Sequence, residues 1–479
     1  MLSSNKDLKI YNSLTSTKDF FSPINENMVG MYVCGPTVYN TVHLGNIRTF
    51  ISFDLIFRYL KHLGYNVRYV RNITDVGHLE DDSDEDKISK RAKIEKIEPM
   101  EVVQKYTNEF HSILDSFNVL KPSIEPTASG HIIEQIEMIQ EIIDKGYAYE
   151  SKGSVYFDTM TFSKDFKYSK LSNRDLDNVI NESRDLTGSN EKKNPQDFAL
   201  WKKAEDKHIM KWKSPWSLGF PGWHLECSAM SRKYLGNKFD IHGGGLDLKF
   251  PHHDCEIAQN ECLSNEVSAN FWLHANMLTL NGKKMSKSTG NSVLASEIFD
   301  GNNNIFSKSF SPMTLKFFMY QAHYRNTLDL SNEALLASEK AFEKVVQLKK
   351  DIDNLETSDI SNISSQDWVD NCYKSLNDDF NSPKLIANFF DLTKIVNEIK
   401  SGKKKIDLEN KNLLINYFSV FSTDILGLNF ESEKNDNQNQ ILDLLIEIRD
   451  KERKNKNYII SDFIRNKLNS LGINIEDKK

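Results

Sequence analysis

The sequence predicts an α/β protein: a Rossmann-type parallel-sheet domain with an inserted subdomain, followed by an all-helical C-terminal part. Three observations predict it. An apolar run, an amphipathic stretch and a second apolar run follow one another between Met28 and Ile73, the pattern of a βαβ unit. The regular pattern breaks between about 150 and 215 into short strands, prolines and polar runs. From about Pro312 onward the spacing of apolar residues is almost entirely helical.

Taken in order, Met28-Val-Gly-Met-Tyr-Val33 reads as a buried strand. Residues 45–63 read as a helix with Phe50, Ile51, Leu55, Tyr59 and Leu63 on one face, closed by Gly64. Asn66 to Ile73 reads as the next strand, and residues near 99–146 as helical. Asn173 to Asn194 is strongly polar and reads as an exposed loop within the insertion. The sheet resumes with Lys238-Phe-Asp-Ile-His242 and three glycines, then a helix from about Pro251 and a strand at about Phe271–Leu278. Residues 331–355 and 383–401 are the clearest amphipathic helices, and Gln440–Ser470 forms a last, basic helical piece.

The 479 residues suffice for roughly three domains at ~150 residues each. Charged residues make up 27% of the chain and mean hydropathy is −0.53, and no run approaches the ~18 apolar residues of a membrane span. The first residues carry no apolar signal-peptide core. Five cysteines (Cys34, Cys227, Cys255, Cys262 and Cys372) are too scattered for a disulfide framework, so the expectation is a cytoplasmic, reduced protein whose thiols are free or bind metal. A net charge of −7 does not advertise nucleic-acid binding. Charge is local, however: Arg449 to Lys467 carries Arg449, Lys451, Arg453, Lys454, Lys456, Arg465 and Lys467, which reads either as a solvated helix face or as a phosphate-facing surface.

Two separated segments carry nucleotide chemistry. His43-Leu-Gly-Asn46 opens a helix, where backbone N–H groups and the helix dipole favour an anion. Lys284-Met-Ser-Lys-Ser288 puts two lysines among small hydroxyl residues, able to neutralise phosphate charge. Together they resemble the two signatures of class I aminoacyl-tRNA synthetases. Asn46 stands where a second histidine is usual; it donates a hydrogen bond but carries no charge.

A third group has metal-ligand chemistry. Pro251 suits the first turn of a helix, and His252 and Glu256, at i and i+4, share one face of it. Cys227 and Cys34 lie far upstream, in Gly222-Trp-His-Leu-Glu-Cys227 and at the end of the first strand. All four are zinc-ligand types. Spacing alone also allows a surface or capping pair at His252 and Glu256 and a core cysteine at Cys34.

The surrounding words narrow this. Val33-Cys-Gly-Pro-Thr-Val-Tyr39, Arg71-Asn-Ile-Thr-Asp-Val76, Pro221-Gly-Trp-His-Leu-Glu-Cys227, Phe239-Asp-Ile-His-Gly-Gly-Gly245 and Phe250-Pro-His-His253 occur in order over the chain. They resemble the cysteinyl-tRNA synthetase family. The resemblance implies one Zn²⁺ per subunit, held by Cys34, Cys227, His252 and Glu256, with Cys255 a rival ligand at i+3 from His252. It implies Trp223 as a wall of the cysteine pocket and Thr74 as a contact to the amino-acid backbone. It implies His43, Lys284 and Lys287 as catalytic residues, and His43, Asn46, Gly243, Gly244, Gly245, Asp247 and Lys287 around ATP, which brings Mg²⁺ with it.

By the same resemblance the domains are a class I catalytic domain at 1–310 (insertion about 150–215), a stem-contact region at 311–330, a helical bundle at 331–430 and an anticodon-binding region at 431–479, with Arg453, Asp462 and Asp477 on the anticodon. The implied partners are tRNA(Cys), ATP and L-cysteine, with no membrane and a monomeric state. The alternative reading is a related ATP-dependent ligase joining cysteine to an amino-sugar; the basic C-terminal helices speak against it.

Overall fold

A computed structural model of the chain describes residues 7–77, 86–174, 191–206, 208–285, 291–430, 436–454 and 457–470. The chain forms two compact units, Met1–Leu428 and Asn429–Lys479.

The heart of the first unit is a four-stranded, all-parallel sheet. Its strands are β1 (Met28–Val33), β2 (Asn66–Arg71), β3 (Phe239–Gly245) and β4 (Ala269–Ala275), in spatial order β4-β3-β1-β2. The chain leaves β1 for β2 on one side, and β3 returns to pair with β1 on the other. The carboxyl ends of β1 and β3 therefore meet at the topological switch point, where open α/β sheets hold ligands. The Cys34 amide, just past β1, donates to the Gly243 carbonyl at 3.0 Å and closes that junction.

Helix α1 (Leu44–His62) links β1 to β2, with Ile47, Phe50, Ile51, Phe53, Leu55 and Leu60 buried along it. Its polar residues are buried too and serve as ties. Arg48 donates to the carbonyls of Asn276, Met277, His323 and Asn326, anchoring α1 to the loop after β4 and to the loop that follows the helix Pro312–Tyr320. Asp54 accepts from Arg58 at 2.9 Å and from Lys316 at 3.1 Å, with Lys316 wholly buried. Lys316 also donates to the carbonyls of Asn118 and Gly427, fixing the helical part to α1.

The region expected as an insertion contains a five-stranded antiparallel sheet built from Ala148–Ser151, Ser154–Phe157, Phe198–Lys203, Leu218–Pro221 and Trp212–Lys213. It is followed by α2 (Trp223–Leu235) and, after β3, by α3 (His252–Ser264). Part of the polar loop expected at Asn173–Asn194 lies outside the described residues.

The helical reading of residues 99–146 is corrected. Two helices, Pro99–Ser116 and Ile132–Asp144, are separated by an extended segment whose Ile124 and Thr127 bridge Val70 and Ile73 in parallel. Pro122 and Pro126 cannot donate within a helix, and Asn118 takes a left-handed φ of 50° that ends the first one. The strand expected through Leu278 ends at Ala275; Leu278–Leu280 belongs instead to a small three-stranded sheet with Lys283–Lys284 and Leu328–Leu330.

Beyond residue 330 the first unit is helical: Asn332–Asp353, Ser365–Asn377, Ser382–Lys400 and Leu408–Ser419 pack on one another. In the second unit, helices Asp436–Lys454 and Tyr458–Ser470 pack together. No helix among the described residues is long and apolar enough to cross a membrane.

Candidate active site and metal cluster

A cavity of about 280 Å³ opens at the switch point. Cys34 and Gly35 from the end of β1, His43 and Asn46 from the start of α1, and Asp247 beyond β3 border it. Trp223 and Lys284 border it as well. Segments more than 200 residues apart in sequence thus share one wall because the parallel sheet delivers their strand ends to one edge.

His43 is the N-cap of α1: its extended backbone precedes the helix and its Nδ1 accepts from the Gly45 amide at 3.1 Å. An accepting Nδ1 leaves the proton on Nε2, so the ring presents a donor at a helix N-terminus. Lys284 ends an exposed two-residue strand, and its carbonyl accepts from the Asn291 side chain at 3.1 Å. Lys287 lies outside the described residues, as does Asp477.

Of the three glycines ending β3, only Gly245 borders the cavity. A β-carbon on Gly243 would fall 2.2 Å from the Phe53 ring, and one on Gly244 would fall 3.1 Å from the His253 ring. The Phe53 ring on α1 leaves no room for a side chain at Gly243, and at Gly244 Leu248 and His253 would have to shift to make room.

Behind the cavity, Cys34, Cys227, His252 and Glu256 converge: one ligand atom from each lies within 4.8 Å of all the others. The two sulfurs are 3.5 Å apart, Cys34 Sγ is 3.6 Å from Glu256 Oε1, and that oxygen is 3.2 Å from His252 Nε2. All four residues are buried. Pro251 starts α3 so that His252 and Glu256 stack one turn apart. On α2, Trp223 and Cys227 are likewise one turn apart, so one helix face serves both cavity and cluster.

The charges of this cluster are tightly interlocked. Burial, then Cys227 and Glu256, push the Cys34 thiol well above its ordinary value. Burial works against charge on His252, yet Cys227 and Glu256 outweigh it and raise the imidazole to about 10. Burial also opposes ionisation of Glu256, but His242 and His252 hold it well below the usual carboxylate range. Two sulfurs, a carboxylate and an imidazole buried this close together suit a cation among them. The set fits a metal ion, and its mix of thiolate, imidazole and carboxylate suits zinc chemistry.

A second overlapping group, Cys34, His242, His253 and Glu256, also comes within 4.8 Å. His242 Nε2 is 2.8 Å from Glu256 Oε2, the oxygen facing away from His252, and its ring stacks on Trp272 at 4.3 Å. His253 Nε2 is 3.4 Å from Cys34 Sγ. Neither histidine stood out in the sequence. The doubled His252-His253 was a signal for one, and the inward alternation of a buried strand for the other. Cys255, the rival ligand, belongs to neither group; its sulfur meets the Tyr168 hydroxyl at 3.4 Å in the core.

Thr74 is buried and does not border the cavity. Its hydroxyl donates to Glu226 at 2.9 Å and accepts from the Asn72 side chain at 3.1 Å, tying the end of β2 to α2. In the second unit Arg453 is exposed, and Asp462 pairs with Arg465 at 3.0 Å.

Comparisons with known proteins agree with this architecture. The family model for the tRNA synthetases class I (C) catalytic domain matches residues 20–340, and the DALR domain model matches residues 371–431. A cysteine–tRNA ligase of Bacteroides thetaiotaomicron is 52% identical over 98% of this chain and 97% of its own length. One from Bacteroides fragilis is 51% identical over the same shares. Among solved structures, the LeuRS–tRNA–LeuAMS complex of Agrobacterium radiobacter superposes with a TM-score of 0.60 at 11% identity, covering 85% of each chain, a likeness of fold.

Proposed function

The chain belongs to the class I cysteine–tRNA ligase family, and on that premise we propose that Cys34, Cys227, His252 and Glu256 hold one zinc ion that selects cysteine for attachment to tRNA(Cys). The observation that carries the zinc reading is the buried four-residue cluster whose member Cys34 also borders the cavity.

The chemical problem is to distinguish cysteine from serine. Size alone separates such close analogues by only ~1–3 kcal/mol, or roughly 10–200-fold. Zinc, when bound, supplies a soft acid that takes a thiolate at ~2.3 Å and a serine hydroxyl poorly. Trp223 walls the amino-acid pocket, and Thr74, its hydroxyl engaged by Glu226 and Asn72, braces the end of β2 behind that pocket and does not line it.

In the first step the cysteine carboxylate attacks the α-phosphorus of ATP, forming cysteinyl-adenylate and releasing pyrophosphate. His43 donates from the start of α1 to phosphate, with Lys284 and Lys287 neutralising the charge that develops on pyrophosphate. Such catalysis is positioning and electrostatic stabilisation. Gly245, Asp247 and Asn46 border the place for the nucleoside, and Mg²⁺ accompanies the phosphates. In the second step a hydroxyl of the terminal adenosine of the tRNA takes the cysteinyl group. The second unit reads the anticodon, with Arg453 suited to a guanine edge and Asp462 and Asp477 to cytosine amino groups. The protein works as a monomer in the cytoplasm. The amino-sugar ligase reading is not favoured, because the match to cysteine–tRNA ligases runs through the helical part to 98% of the chain.

Aminoacylation of total tRNA with cysteine against serine, with metal analysis of the same sample, tests this reading. One zinc per chain and charging with cysteine alone is the expected result. Full activity in metal-free protein would overturn the zinc assignment.

A further inference from the structure

Two buried residues grip the segment 323–326, and no step above uses either. Asp379, between the helices Ser365–Asn377 and Ser382–Lys400, is 0% exposed. Its Oδ1 accepts from the Tyr324 hydroxyl at 2.8 Å and from the Tyr11 amide at 3.0 Å, and its Oδ2 accepts from Arg325 Nε at 2.7 Å. Its carbonyl accepts from His323 Nε2 at 3.0 Å. The other grip is Arg48 on α1, 1% exposed. Its guanidinium donates to the His323 and Asn326 carbonyls at 3.3 and 2.6 Å, and to the Asn276 and Met277 carbonyls at 3.0 and 2.7 Å.

We propose that Asp379 and Arg48 together fix segment 323–326 and through it set the hairpin that carries Lys284 against the cavity, so that both are positioning residues for adenylate formation although neither borders the cavity. The proposal rests on the reading of the cavity as the ATP site.

The path from the grips to Lys284 is continuous. The Asn276 amide donates to the Tyr324 carbonyl at 2.8 Å, and its side chain donates to the Arg325 carbonyl at 2.8 Å. Asn276, Met277 and Leu278 border the cavity. Leu278–Leu280 then pairs in parallel with Leu328–Leu330, just beyond the gripped segment, and antiparallel with Lys283–Lys284. Asp329 holds that hairpin, accepting from Thr279 Oγ1 at 2.6 Å and from the Gly282 amide at 2.7 Å. Asn281 and Gly282, at φ values of 51° and 74°, make the tight two-residue turn that suits such a hairpin. At the other end, Arg48 lies five positions after His43 on the helix that His43 caps, so one helix holds the His43 ring and the Arg48 grip at a fixed separation.

The grips are specific in their chemistry. Asp379 and the following Phe380 take left-handed φ values of 63° and 54°, a conformation that a bulky residue such as Phe rarely adopts and that persists where its surroundings over-determine it. Arg48 directs a buried guanidinium at four main-chain carbonyls, which the rigid fork of an arginine can reach together and the point charge of a lysine cannot. Placement matters because Lys284 acts on charge that develops only as the adenylate forms. A misplacement of ~1 Å in such a group can cost ~100-fold in rate.

Cysteine-dependent ATP–pyrophosphate exchange on the full chain, with kcat and KM for ATP resolved, tests the proposal. Arg48→Lys keeps the charge but loses the fork, and is expected to lower kcat ~10–100-fold with KM for ATP little changed. Tyr324→Phe removes one hydroxyl from Asp379 and keeps the ring, so it should fold as wild type and lower kcat less, in the same direction. In a Lys284→Ala background neither substitution should cost much more, because the group they position is gone. A merely structural role would not show that saturation: each loss would multiply with that of Lys284→Ala. Unchanged kcat in both Arg48→Lys and Tyr324→Phe would overturn the proposal, as would losses that multiply in full with Lys284→Ala. Exchange unchanged in Lys284→Ala itself would overturn the ATP reading of the cavity; a slowed Lys284→Ala beside unaffected grip variants overturns the positioning role alone.

Discussion

The indole of Trp223 lies against the imidazole of His252, with ring centroids 4.4 Å apart and planes tilted by 43°. Trp223 borders the cavity and His252 belongs to the metal-capable cluster, so one contact joins the wall of the amino-acid pocket to the group proposed to read its sulfur. The His252 ring also meets His224, Nδ1 to Nδ1 at 2.9 Å, which leaves Nε2 directed at Glu256.

Trp223→Ala should therefore weaken cysteine binding without emptying the cluster. Loss of the aromatic contact is worth ~0.5–1.5 kcal/mol beyond the area exposed, so KM for cysteine should rise about tenfold. Cysteine-dependent ATP–pyrophosphate exchange measures this, and the zinc content of the variant should match wild type. A loss of zinc in Trp223→Ala would show that the stack is needed to hold the ligand.

Cys227 and Cys255 should separate cleanly. Cys227→Ser should lose zinc and, with it, cysteine activation, because serine oxygen is a poor ligand for this ion. Cys255→Ser should keep zinc, since its sulfur faces Tyr168 rather than the cluster. Metal analysis of both proteins against wild type checks the pair.

The polar tie around Asp54 predicts unequal costs. Asp54→Asn leaves Arg58 and Lys316 buried together without their carboxylate, and should destabilise by ~3–5 kcal/mol. Lys316→Met leaves the Arg58–Asp54 pair intact and unmakes hydrogen bonds to two carbonyls, a smaller loss of ~1–3 kcal/mol. Burial brings the Lys316 ammonium down from 10.5 to about 8, against the pull of Asp54. Between those two values the unfolded chain holds a proton that the folded chain has released, so this group makes stability rise with pH across that window. The gap between wild type and Lys316→Met in denaturant melts should accordingly widen in favour of wild type from pH about 8 to 10.5.

Much of the sheet domain was legible because its signals are local. Met28–Val33 is apolar on both faces, as a central parallel strand must be, and it is the strand observed. Residues 45–63 have the helical spacing of α1, observed as Leu44–His62. The reading failed at Phe117–His131 because prolines and a left-handed Asn118 interrupt what looks like one helical stretch, and the segment pairs with β2 instead. It overran β4 because Ala275 and Leu278 are both apolar, and only pairing partners decide which sheet each joins.

By itself the sequence determined the chemistry available: which residue types recur in which words, the helix that stacks His252 over Glu256, and the capped start of α1 at His43. Only the tertiary structure decided which of these meet. Cys34 and Cys227 are 193 positions apart and their sulfurs 3.5 Å apart, because a parallel sheet carries β1 and the elements around β3 to one edge. Asp379 and Tyr11 are separated by 368 positions and bear no shared motif. Their contact arises from burial: a carboxylate sealed from water must find its partners within the protein, and packing, not sequence spacing, supplies them.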